Sequence, residues 1–158
     1  MKCFSLVAIA ALLAGCISLT VSGSFAAVQG PLARQDALPA YAAKMSGVLS
    51  GTISVVLTNG EVCQGRWAFV STTTAGQGAT NATSPVPSNM PADWDLVYGP
   101  GYYVAHVVGN KLYARATLTG NMGTIVNVEL SNETNTRGNT KGVAVDNHGN
   151  VFKVSVYN

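Results

Sequence analysis

LSGTISVVLTNGEVCQGRWAFV, residues 49–70, decides the fold. Leu49, Gly51, Ile53, Val55 and Leu57 fall on one face, and Ser50, Thr52 and Ser54 on the other. Alternation with a period of two is the mark of a half-buried strand. Asn59-Gly60 then signals a hairpin, and Val62–Val70 returns with Cys63, Gly65, Trp67 and Phe69 on one face. Register follows from side-chain size. A two-residue turn would set the Leu49–Leu57 face beside Gln64 and Arg66. A three-residue loop with Gly60 in the left-handed region, making a bulge, instead pairs Leu57 with Glu61, Val55 with Cys63, Ile53 with Gly65 and Gly51 with Trp67. Large residues then face small ones on a single apolar face. A one-residue slip would turn every side chain over, so the bulged loop is expected.

The same grammar continues downstream. Tyr102–Val108 alternates and meets a Gly109-Asn110 turn, which would pair Tyr103, Ala105 and Val107 with Ala116, Ala114 and Leu112 and bring His106 beside Tyr113. Further strands are expected up to Leu118 and over Met122–Leu130, with a turn at Thr119-Gly120-Asn121. A last hairpin is expected from Gly142–Asp146 and Val151–Tyr157. A four-residue loop, Asn147-His148-Gly149-Asn150, would pair Val145 with Phe152 and Val143 with Val154. Residues 71–92 are polar, rich in Thr, Ser, Gly and Pro, and read as a mobile loop; residues 131–140 form a second polar loop. The expected fold is all-β: a small antiparallel meander of about seven strands, a sandwich or a barrel, over residues 47–158, with no substantial helix.

Composition agrees. The chain has 158 residues, 47% hydrophobic but only 10% charged. One domain of this length buries a real core, and the charge-poor, Thr- and Val-rich remainder suits strands. Without residues 1–15, which hold Lys2, eight basic residues face seven acidic ones. No basic patch stands out, so nucleic acid is not an expected partner.

Upstream, Lys2 precedes an apolar run, Phe4–Leu13, of the length of a signal-peptide core. Leu13-Ala14-Gly15-Cys16 follows. This segment resembles the lipobox of bacterial lipoproteins: an aliphatic residue, two small residues, then Cys. The resemblance implies a signal peptide over 1–15, diacylglycerol on the Cys16 thiol, cleavage before Cys16 and acylation of the new amine. It implies a membrane partner reached through the acyl chains; no cofactor is expected. Ile17 stands where Asp would imply retention in the inner membrane, so the outer membrane is the expected address. Residues 16–46, with Pro31 and Pro39, read as the lipidated Cys and a flexible tether, with one helical turn after Pro39 as an option. Two other readings stand beside the lipobox: conventional cleavage after Ser24-Phe25-Ala26, and an uncleaved apolar anchor from Phe4 to Val21.

Few residues suggest chemistry. Cys63 is the thiol left once Cys16 is acylated and Cys3 removed, and its register places it in the core. A nucleophile would need a base within reach, and His106 falls on the other face of its expected hairpin. His148 sits at a hairpin tip. Asp146-x-His148-x-Asn150 lacks the glycine and distal glutamate of a calcium loop. No catalytic or metal-binding residue is assigned. Trp94, Tyr98 and Tyr102, in DWDLVYGPGYY, are the candidate binding surface, because aromatics beside a loop suit recognition. The expected role is a lipid-anchored binding or structural module of the cell envelope, with a protein, glycan or lipid ligand. The alternative is a small hydrolase-like envelope enzyme using Cys63 and His106.

Overall fold

In the computed structural model, the residues described are 19–35, 40–70, 89–108, 113–131 and 139–157. The hairpin at Asn59-Gly60 has the expected register: Gly51 opposes Trp67, Ile53 opposes Gly65 and Val55 opposes Cys63. Leu57 N–H donates to Glu61 O, Gly60 N–H to Leu57 O, both at 2.9 Å, and Gly60 has φ +80°.

This hairpin is one part of a closed barrel of eight strands. They are β1 (Thr20–Gln29), β2 (Ala40–Gly47), β3 (Ser50–Val56), β4 (Val62–Val70), β5 (Tyr113–Gly120), β6 (Ile125–Ser131), β7 (Asn139–Asp146) and β8 (Val151–Tyr157). Each strand pairs antiparallel with its neighbours in sequence, and β1 with β8 closes the ring. The all-β expectation is met, and of the two architectures considered the barrel is the one formed.

Two corrections concern which segments are strands. The supposed tether over 16–46 contains β1 and β2. Val21, Phe25 and Ala27, then Tyr41, Ala43 and Met45, point into the barrel core, and serines and alanines point out. Small side chains hid the alternation. Tyr102–Val108, expected as a strand, is instead π-helical over Tyr103–Val108. It follows a helix, α1 (Met90–Tyr98), which begins inside the supposed loop. The partner expected for β5 is therefore replaced by β4: Ala116 opposes Trp67 and Ala114 opposes Phe69. The rest of the polar segments, 71–88 and 132–138, lies outside the described residues, as does the Gly109-Asn110 turn.

A third correction concerns register. Val145 opposes Val151 and Ala144 opposes Phe152, one residue from the expected pairing. The cause is Gly149, at φ +80°, which makes a three-residue bulged loop like that at Gly60: Asp146 N–H donates to Asn150 O at 3.0 Å. The turn from Gly120 to Thr124 repeats the geometry, with Gly123 at φ +100°. One end of the barrel, the turn end, thus carries three turns of one type. The other, the entry end, carries Leu19, where the chain enters β1, and the β2–β3 turn.

Inside, Phe25, Tyr41, Ile53, Trp67, Leu118, Leu130 and Phe152 alternate with Ala27, Ala43, Ala114, Ala116 and Ala144. Large against small is how a narrow barrel fills its own interior. Gly51 and Gly65 permit close strand approach, since a Cβ there would run into the Ser46 and Thr117 carbonyls respectively. No helix among the described residues is long and apolar enough to cross a membrane.

Candidate functional site

Every fourth residue from Trp94 is aromatic: Trp94, Tyr98, Tyr102 and His106. Helical winding puts such residues on one face, and here they stack. Trp94 and Tyr98 rings lie 5.4 Å apart, Tyr98 and Tyr102 4.7 Å, and Tyr102 and His106 4.4 Å. This column lies on the outside of the barrel wall, over β7 and β8, and a second apolar core forms beneath it from Val70, Met90, Trp94, Val107, Val143 and Val151. Pro91, near the first turn of α1 where no intrahelical N–H is lost, is compatible with the helix start.

Glu129 is the unusual member of this outer core. It projects outward from β6, opposite Arg115 on β5, and is only 1% exposed because α1 covers it. Its carboxylate is held by Arg115 Nε and by the Trp94 indole N–H, both at 3.0 Å. A buried charge needs such partners. The effect spreads: burial, then the charge of Glu129, raises the carboxyl pKa of Asp93 above its ordinary value. The Tyr103 phenol is raised in the same way, with Arg115 opposing. Asp95 accepts from Tyr103 N–H at 2.9 Å and so ties α1 to the π-helical segment. The Tyr98 hydroxyl accepts from Gly142 N–H and lies 3.1 and 3.2 Å from the carbonyls of Gly142 and Val154, bridging β7 to β8. Lys141 reaches the Tyr102 hydroxyl at 3.2 Å and lies over the Tyr98 and Tyr102 rings; Lys153 lies over Tyr98.

The proposed surface of Trp94, Tyr98 and Tyr102 is therefore only partly a surface. Trp94 has no exposed area, and its role is to clamp the helix and partner Glu129. Tyr98 and Tyr102 are half-buried beneath the two lysines. The strand reading of Tyr102–Val108 concealed the four-residue spacing that carries the column.

A second constellation, at the turn end, went unread in the sequence. Glu61, 2% exposed, accepts from Met122 N–H, Thr124 N–H and the Thr124 hydroxyl at 2.7–3.0 Å, and from Asn59 at 3.5 Å. The Thr124 hydroxyl and then its N–H hold the Glu61 carboxyl below its ordinary value, against the opposing effect of burial. Asn121 brackets Val62, accepting from its N–H and donating to its carbonyl. Asn147 brackets Ile125 in the same way. Asp146 accepts from the N–H groups of His148 and Asn150 and from the Asn150 amide, and Asn150 accepts from Leu32 N–H. The Asp146-x-His148-x-Asn150 spacing thus builds a turn. Tyr41, buried near this end, has a hydroxyl with no hydrogen-bond partner among the described residues.

Cys63 is fully buried inside the barrel. Burial, with the nearby charges of Glu61 and Asp146, pushes its thiol up to about 11. His106 lies outside the wall, stacked on Tyr102, so the wall separates the two residues of the enzyme alternative. His148 is exposed at its turn. Cys16 lies outside the described residues. Comparison with protein-family models, characterised proteins and solved structures gave no match.

Proposed function

We propose that the chain is a bacterial lipoprotein, exported and anchored through acyl chains on Cys16, whose barrel serves as a binding or structural module of the cell envelope. The lipobox-like Leu13-Ala14-Gly15-Cys16 carries this reading. The placement of β1 supports it against both rival readings. Cleavage after Ala26 would cut through Thr20–Gln29, the strand that joins β2 to β8, and leave both of those edges unpaired. An uncleaved anchor running to Val21 would have to withdraw Thr20 and Val21 from the barrel. That leaves Phe4–Leu19, 16 residues, where a spanning helix needs about 20. Mass spectrometry of the mature N-terminal peptide tests the proposal. A triacylated peptide starting at Cys16 is the expected result; an unmodified peptide starting at Ala27 rejects it. For the module's partner we assign the outer flank of the aromatic column, Tyr98 and Tyr102 with Lys141 and Lys153, where ring and cation meet at the wall. Pull-down from envelope extracts with Tyr102→Ala tests that assignment: an unchanged set of partners removes it.

A further inference from the structure

We infer that the β2–β3 turn at the entry end is a membrane-contacting tip, which seats the barrel end-on against a phospholipid surface. The inference rests on the lipid-anchor reading and extends it. The tip is Gly47-Val48-Leu49-Ser50. Val48 is 69% exposed and Leu49 75%. Leu19, 56% exposed, lies beside them, because its carbonyl accepts from Gly47 N–H at 3.0 Å. Scattered exposed aliphatics are ordinary, but three side by side at one end of a barrel form a patch.

The occupant follows from where the chain leads. Only Ile17 and Ser18 separate Leu19 from Cys16. A chain spans at most about 3.6 Å per residue, so an acylated Cys16 lies within about 11 Å of Leu19. With β1 starting at Thr20, the anchor has no slack to hold the barrel away from the bilayer. The end that carries Leu19, Val48 and Leu49 is the end brought to it. The residues behind the tip match a headgroup layer. Thr20 opposes Ser46, Ser46 opposes Thr52 and Thr52 opposes Arg66, all facing outward. The Ser46 and Thr52 hydroxyls bond at 2.7 Å. A hydroxyl row with one cation thus begins two residues behind Val48, about 7 Å at strand rise, comparable to the burial depth of interfacial apolar groups.

The test uses the mature protein reconstituted into vesicles of phosphatidylethanolamine and phosphatidylglycerol. Leu49→Cys and, at the turn end, Thr58→Cys are each labelled with nitrobenzoxadiazole; buried Cys63 does not compete for label. Lipids carrying a shallow nitroxide serve as quencher. The expected result is emission at 49 quenched about threefold more than at 58, as for a group in the interface. Equal quenching at the two positions, or a water-like label at 49 on vesicle-bound protein, overturns the tip. The N-terminal mass is read on the same sample. Quenching with the label mapped to residue 49 alone and Cys16 unacylated keeps the tip and rejects the anchor, and acylation without quenching at 49 does the reverse.

Discussion

At the turn end, three hairpins share one bulged geometry, and side-chain acceptors pass from turn to turn: Glu61 to the β5–β6 turn, Asn121 to β4, Asn147 to β6 and Asn150 to the β1–β2 connection. At the entry end, the β2–β3 turn bonds to Leu19 through one main-chain contact and leaves two aliphatic side chains in solvent. The difference separates two demands on a barrel. A rim that only closes the sheet can spend every polar group on itself. Both rims keep some apolar surface, Val56, Val62, Met122 and Ile125 at one and Leu19, Val48 and Leu49 at the other, but the entry end is the one that the short span from Cys16 to Leu19 reaches.

Substitutions sharpen that contrast. The largest loss is expected for Asp146→Ala, which removes the acceptor for two N–H groups and the Asn150 amide. About 3 kcal/mol should go, read as a lower urea midpoint by the fluorescence of Trp67 and Trp94. Asn121→Ala, which removes the acceptor of Val62 N–H but keeps the main-chain bond to its carbonyl, should cost about 1 kcal/mol in the same assay. Tyr41→Phe has the opposite sign. Deleting a buried hydroxyl with no partner among the described residues should raise stability by about 1 kcal/mol. A loss there would mean that the hydroxyl is satisfied in solution.

Acid should act at the same end. The folded Glu61 carboxyl titrates below its ordinary value of 4.5, the Thr124 hydroxyl being the chief cause. Its stabilisation is therefore complete above that value and is lost as pH falls through the lowered one. Unfolding midpoints between pH 6 and about 3 should drop more steeply for the native chain than for Glu61→Gln. Parallel curves would remove Glu61 as the source. The smallest effect belongs to the entry end: Val48→Ser with Leu49→Ser should change stability by under about 0.5 kcal/mol. A larger loss would show that the tip packs against the barrel.

How much of this was legible depended on whether size or small-residue pattern carried the signal. The β3–β4 register could be read because Trp67 and Ile53 needed small partners and found Gly51 and Gly65. The β7–β8 register slipped by one because Asn147, Gly149 and Asn150 are all turn formers, and only the positive φ of Gly149 selects the shorter loop. β1 and β2 were missed because Ala, Ser and Gly carry little strand preference. Their pairing comes from closing the ring, a tertiary demand. The outer core was hidden for a different reason: 102–108 satisfies alternation and four-residue spacing at once, and contacts with β7, invisible along the chain, decide between them. Cys63 was placed correctly in the core, from its neighbours on β4.

The pairing of β1 with β8 sets the order in which the molecule can be made. The next longest connection, from β4 to β5, spans 43 positions between the paired Val70 and Tyr113, whereas Ser24 meets Tyr157 across 133 positions. Such a contact carries the greatest loop-closure cost and forms slowly. Until it forms, the sheet has two free edges, the outer sides of β1 and β8, both able to recruit strands from another chain. How long the newly made protein spends in that vulnerable form depends on how soon Val151–Tyr157 reaches Ser22–Gln29.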